Sequence, residues 1–265
     1  MEDKVSDREG GCLGSKLWLY TNFDCNLRCT YCVTKSTPDV PRRALDLKTM
    51  QRLIDAGTAL GFRDLFFTGG EPFLLDDIYS MLSYASARAR TTVLTNGVLL
   101  HGARLERLAE VANENLRVQV SLDGARPEHH DPYRGKGTWA RTVAAIEQVL
   151  TRDIQVCIST TETQANTGHL AELRLFRCAL GISDRDHLIR PLARHGFSQE
   201  GLELSRTELE PELTLTAEGV FWHPLTFPGD DEMRVSNELF PLEDAVTAVE
   251  DELARDDWSG RTEFI

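Results

Sequence analysis

Lys16-Leu17-Trp18-Leu19-Tyr20-Thr21 leads, after Asn22-Phe23-Asp24, into Cys25-Asn26-Leu27-Arg28-Cys29-Thr30-Tyr31-Cys32, and this stretch decides how the chain reads. The first half is an apolar, β-prone run. The second carries three cysteines in C-x3-C-x2-C spacing, with an aromatic residue before the last. Thiolates are soft ligands that suit iron–sulfur clusters and zinc. Both usually take four protein ligands, and this run supplies three. A cluster held this way leaves one iron open to bind and activate a further molecule.

Two blander readings compete. Structural zinc motifs use paired cysteine or cysteine–histidine knuckles, but Cys12, Cys157 and Cys178 are isolated and form no second pair. A disulfide framework needs a denser cysteine content than 6 in 265 residues, and the chain opens with no secretory signal and has no apolar run able to span a membrane. The three-cysteine cluster leads, and a non-catalytic iron–sulfur or zinc scaffold stands as the alternative of another class.

Outward from the cysteines, strands and helices alternate. Strands are expected at Lys16–Thr21, Asp64–Thr68, Thr91–Thr95, Leu116–Leu122, Ile154–Thr160 and His187–Arg190. Helical spacing fills Leu47–Leu60, Ile78–Arg90, Ala103–Asn113, Thr138–Leu150 and Leu170–Leu180, with Gly61 and Gly181 as stops. Such alternation implies a parallel sheet with right-handed crossovers. In barrels of this kind functional groups gather at the C-terminal ends of strands. The cysteine loop, Gly69–Glu71, Thr95-Asn96, Ser121–Asp123, Thr160-Thr161 and Arg190 all fall there.

Cys25, Cys29 and Cys32 with Tyr31 resemble the cluster motif of radical S-adenosylmethionine (SAM) enzymes. The resemblance runs on to about residue 192 through Thr68-Gly69-Gly70-Glu71-Pro72, Leu94-Thr95-Asn96-Gly97 and Val120-Ser121-Leu122-Asp123-Gly124. His130-Asp131-x-x-Arg134-Gly135 and Gly137-Thr138-Trp139 resemble the next segment in the branch containing peptide maturases. The resemblance implies an α/β fold, an open (β/α)6 partial TIM barrel over residues 16–195. It also implies one [4Fe–4S] cluster on Cys25, Cys29 and Cys32, with SAM on the open iron. Reductive cleavage would then give a 5′-deoxyadenosyl radical that abstracts hydrogen from substrate.

By the same resemblance, Gly69 and Gly70 let backbone approach the methionine amino group and Glu71 holds it. Asn96, Ser121 and Asp123 suit ribose or carboxylate groups, Arg134 or Arg141 pairs the SAM carboxylate, and Tyr31 lies near adenine. Residues outside these motifs carry weaker readings. His129-His130 is weighed as a metal pair, but adjacent imidazoles point apart and a solvent-contacting loop is the better reading; Arg190 reads as an anion contact or a surface ion pair, His223 as hairpin packing and Cys157 as core. Cys12 and Cys178 are candidate hydrogen donors.

Past Pro191 the pattern changes. Residues 196–265 read as an extension with a hairpin over Leu213–Trp222 and a helix over Leu239–Leu253, and residues 1–15 as a flexible start. In related branches this region carries the SPASM or twitch cysteines of auxiliary clusters. No cysteine follows Cys178, so no auxiliary cluster of that kind is expected.

Charge follows the same division. From Glu200 onward there are 18 acidic and 4 basic residues, so residues 1–199 hold 24 and 25 of the totals of 42 and 29. No basic stripe exists to neutralise phosphates, which argues against nucleic acid as a partner. The resemblance implies a cytoplasmic enzyme acting on a natural product or specialised metabolite, with a flavodoxin- or ferredoxin-type electron donor and no membrane partner. A ribosomal-peptide maturase making a crosslink or epimer is the runner-up, weighed against by the short start, too brief for a leader-binding domain.

Overall fold

The computed structural model describes residues 13–254. Nine strands form a single sheet. β1 (Lys16–Asn22), β2 (Asp64–Gly69), β3 (Arg90–Thr95), β4 (Leu116–Ser121), β5 (Gln155–Glu162) and β6 (His187–Pro191) are consecutive neighbours, all parallel. Helices α1 (Leu47–Ala59), α2 (Ile78–Ser86), α3 (Ala103–Val111), α4 (Pro127–Arg134), α5 (Thr138–Leu150) and α6 (Leu170–Ala179) fill the crossovers. This is the partial barrel expected, open between β1 and β6.

Local sequence explains the elements. Asp46 caps α1 by accepting from the Thr49 amide at 2.8 Å, relieving one of the unpaired N–H groups of a helix start. Met50, Leu53, Ile54 and Gly57 share its buried face, and at Gly57 a Cβ would lie 2.6 Å from Leu17. Val118, Val120 and Leu122 alternate into the core as β4 predicts. Helix α4 was hidden, because Pro127, Pro132 and the flanking glycines disguise a polar eight-residue helix. Pro127 sits in its first turn, where a missing N–H costs nothing.

The extension is no separate body. Strands β7 (Thr214–Thr216), β8 (Gly219–Phe221) and β9 (Arg234–Ser236) continue the sheet, β7 running parallel to β1 and pairing antiparallel with β8. Helix α7 (Leu242–Ala254) buries Leu242, Ala245, Val246 and Val249, and Leu242 reaches Gly57 of α1. Of the start read as flexible, residues 1–12 lie outside the described residues, while Leu13 and Ser15 are buried and Ser15 donates to Asp64 at 2.7 Å. No helix among the described residues is long and apolar enough to cross a membrane.

Candidate active site

The cysteine loop is fixed from three sides. The Thr30 amide donates to the Tyr133 carbonyl of α4 at 2.9 Å, the Phe197 amide to the Cys32 carbonyl at 3.1 Å, and the Cys25 amide to the Thr37 carbonyl at 3.2 Å. All three cysteines line one cavity, which also touches Gly69, Gly70 and Asn96. The Cys25 sulfur accepts from the Leu27 amide at 3.4 Å and lies 3.8 Å from the Asn96 amide nitrogen; the Cys32 sulfur accepts from the Ser36 amide at 3.4 Å. Burial raises the Cys25 thiol well above its ordinary range and Cys29 to about 11. Thiols raised in this way stay protonated near neutral pH unless a nearby positive charge favours the thiolate.

Gly69 and Gly70 serve this loop directly. A Cβ on Gly70 would fall 2.1 Å from the Asp24 carbonyl oxygen, and one on Gly69 2.2 Å from that of Asn22. Gly69 also sits at φ +134°, backbone that only glycine adopts freely. The end of β2 therefore lies flat on the chain leading into Cys25, with the Gly70 amide on the Asn22 carbonyl at 2.8 Å. Asn96 does similar work: its side chain donates to Asn26 at 2.8 Å and accepts from the Val98 amide at 3.0 Å.

Glu71 and Asp123 do not face the cavity. Glu71 is fully buried and accepts from Thr95 at 2.8 Å, the Asn96 amide at 2.9 Å and the Phe73 amide at 3.2 Å. Asp123 is also fully buried, and takes Tyr31 Oη at 2.5 Å, Arg134 Nε at 2.6 Å and the Thr161 amide at 3.0 Å. The direct cofactor contacts expected of these two carboxylates give way to internal positioning, because their oxygens are already occupied. Burial alone would push Asp123 up, yet the adjacent Arg134 guanidinium holds it below the ordinary carboxylate range. Arg134 is buried and lines the cavity. Tyr31 also lines it, with Arg134 over its ring at 5.2 Å.

Ser121 lies on the cavity wall, as does Arg190. Arg190 donates to Ser159 at 2.7 Å, and among the described residues no carboxylate pairs with it. Sequence reasoning noted Arg190 but had no signal for that isolation, which arises only when six strand ends converge. It missed Asn166, whose side chain donates to the Asp123 carbonyl at 2.7 Å and the Thr161 carbonyl at 2.8 Å.

Other expectations are corrected. Arg141 is exposed and donates to the Gly137 carbonyl, away from the cavity. His129 and His130 are buried on α4 instead of lying in a solvent-contacting loop, and His130 Nδ1 accepts from the Asp123 amide at 3.2 Å. Burial, and then Arg134, lowers His130 to about 4, so it is neutral. Cys178 is exposed on α6, outside the cavity, which removes it as a hydrogen donor; Cys12 lies outside the described residues. Cys157 is buried in β5, and His223 is buried beside Trp222, its Nδ1 accepting from the Leu225 amide at 3.1 Å.

The donor set fits a cluster better than a single ion. A structural zinc site takes four protein ligands, whereas this loop brings three cysteines. They line a shared cavity, with Arg134 close enough to Cys29 to favour its charged form. The residues present therefore suit a [4Fe–4S] cluster.

Glu71 gives a pH test in the cofactor-free chain. Burial raises it from 4.5 to about 7, against three hydrogen bonds that pull it down. The folded state favours its protonated form, so its stabilising contribution is full below the unfolded value and is lost as pH rises toward 7. The change amounts to roughly 3 kcal/mol. Urea unfolding at pH 5 and pH 8 should show that decline in the parent chain but not in Glu71→Gln. Equal slopes in both would refute it.

Residues 19–163 match the family model of the Radical SAM superfamily, over half of the 265 residues. An AdoMet-dependent heme synthase of Methanosarcina barkeri is 35% identical over 188 residues, covering 70% of this chain and 53% of that protein. The mycofactocin maturase MftC of Mycobacterium ulcerans is 31% identical over 174 residues, covering 65% and 46%. The chain thus spans about half the length of these curated relatives. Among solved structures, Streptococcus suis SuiB bound to precursor peptide SuiA superposes with a TM-score of 0.61 at 17% identity, covering 95% of this chain and 49% of that one.

Proposed function

Because this chain belongs to the Radical SAM superfamily, we propose that it binds one [4Fe–4S] cluster through Cys25, Cys29 and Cys32 and SAM beside it. A cluster held there would supply an electron for reductive cleavage of SAM and so radical hydrogen-abstraction chemistry toward the substrate. The observation that carries this reading is that three cysteines, the Gly69-Gly70 strand end and Arg134 all line one cavity.

The protein's own residues prepare that cavity. Gly69, Gly70 and Asn96 fix the loop bearing the thiolates. Asp123 holds Arg134 charged at the wall, where it suits the SAM carboxylate. Ser121 offers a hydroxyl to the ribose. Trp18, Tyr20 and Leu94 supply apolar cover that limits water. Electrons come from a flavodoxin- or ferredoxin-type partner in the cytoplasm.

On the substrate side Arg190 favours an anionic group, such as the carboxylate of a specialised metabolite. A ribosomal peptide is the second reading, supported by relatives named as mycofactocin maturase and PqqA peptide cyclase. An unpaired cation kept for binding should cost the free protein stability. Arg190→Met is expected to stabilise the cofactor-free chain by ~1–3 kcal/mol in urea unfolding; destabilisation would show that Arg190 is structural.

The reading itself is tested by anaerobic reconstitution with iron and sulfide, followed by dithionite and SAM. About four irons per chain and release of 5′-deoxyadenosine are expected. A fully loaded protein that leaves SAM intact would defeat it.

A further inference from the structure

We propose that His129, His169 and Glu172 form a second metal site, for a divalent transition ion such as zinc, that clips α4 to α6 outside the cavity. One ligand atom from each lies within 4.8 Å of the others. The His129 and His169 rings stack with centroids 4.0 Å apart and planes inclined by 19°. Glu172 Oε2 lies 3.9 Å from His169 Nδ1. Two imidazoles and a carboxylate are a donor set that zinc accepts, with water completing the shell.

Two further observations point to a ligand. His129 is only 7% exposed and its Nδ1 is buried without a hydrogen-bond partner, a state proteins seldom leave uncompensated. The other oxygen of Glu172 is held by Arg126 Nε at 2.5 Å, the kind of outer contact that orients a ligating carboxylate. A plain histidine stack with a histidine–glutamate pair accounts for His169 and Glu172 but leaves Nδ1 of His129 bare.

The site is preset on one side and adjustable on the other. A Cβ on Gly124 would fall 2.3 Å from the Cβ of His129, so this part of α4 is pressed against the turn after β4. His169 and Glu172 are more exposed, so the His169 ring is free to turn out of the stack and aim its in-plane lone pair at an ion about 2 Å away, which brings the three ligand atoms to a spacing of roughly 3–3.5 Å. A bound ion would brace the two segments that hold Asp123: α4, which carries His130 and Arg134, and the turn after β5, which carries Asn166.

Cobalt(II) added to the cluster-loaded protein is the probe, read by its visible spectrum and by equilibrium dialysis beside zinc. Expected are one equivalent per chain beyond the cluster iron, visible bands without thiolate-to-cobalt charge transfer, and an unchanged cluster spectrum. His169→Ala should abolish the binding, and Glu172→Gln should weaken it ~10-fold or more. Zinc should also raise the thermal midpoint of the parent but not of His169→Ala. Because His169 is exposed, that variant keeps its fold, which far-UV circular dichroism checks. Absence of stoichiometric binding, binding that survives His169→Ala, or a charge-transfer band from a thiolate such as Cys178 would overturn the proposal. Each outcome is read independently of SAM cleavage.

Discussion

Replacing Cys29 by alanine is expected to abolish cluster-dependent SAM cleavage while leaving the barrel folded. Cys29 contributes no core packing comparable to Leu17 or Leu19, and its loop is fixed through backbone bonds from Thr30 and Cys32 that alanine preserves. The loss is therefore chemical. Removing outer-shell partners of metal ligands already costs ~10–100-fold, so deleting one of three ligands should reduce 5′-deoxyadenosine formation by at least ~100-fold. Iron and sulfide content should fall with it, while far-UV circular dichroism stays unchanged. Formation at the parent rate would mean that these cysteines do not hold the cluster.

The largest stability effect is expected at Asp123. Among the described residues its carboxylate is the one acid paired with the buried Arg134, and it also holds Tyr31 and the Thr161 amide. Asp123→Asn keeps the shape but strands a buried guanidinium, which costs about 3–5 kcal/mol. Adding Arg134→Met should recover much of that stability, because the double variant no longer buries an unmatched charge. It should not recover SAM affinity, since the cation at the cavity wall is gone. Urea unfolding measures the first effect and calorimetric SAM titration of cluster-loaded protein the second. Additive losses across the cycle would show that the pair is not coupled.

Much of this site is legible in the sequence because its parts are local. The cysteine spacing, the glycine pair before Glu71 and the polar residues ending each strand are read one segment at a time, and parallel alternation places them at one mouth. What escapes is long-range. Nothing in Thr214–Thr216 announces that it pairs in parallel with β1, so the extension reads as separate although it completes the sheet. A motif also does not reveal which way its acid points. Glu71 and Asp123 lie in the expected segments, yet both turn inward to donors supplied by other strands. The polar helix α4 carries too little apolar periodicity to be seen, and with it the burial of His129 and His130 was lost.

Cys25, Cys29 and Cys32 are proposed to hold the cluster, with SAM beside it in the cavity that Arg134 lines. Electron paramagnetic resonance of the reduced, reconstituted protein tests this most directly, recorded with and without SAM. A signal from about one cluster per chain is expected, with g values that shift when SAM is added, followed on warming by 5′-deoxyadenosine. A fully loaded cluster whose signal SAM leaves unchanged would contradict it.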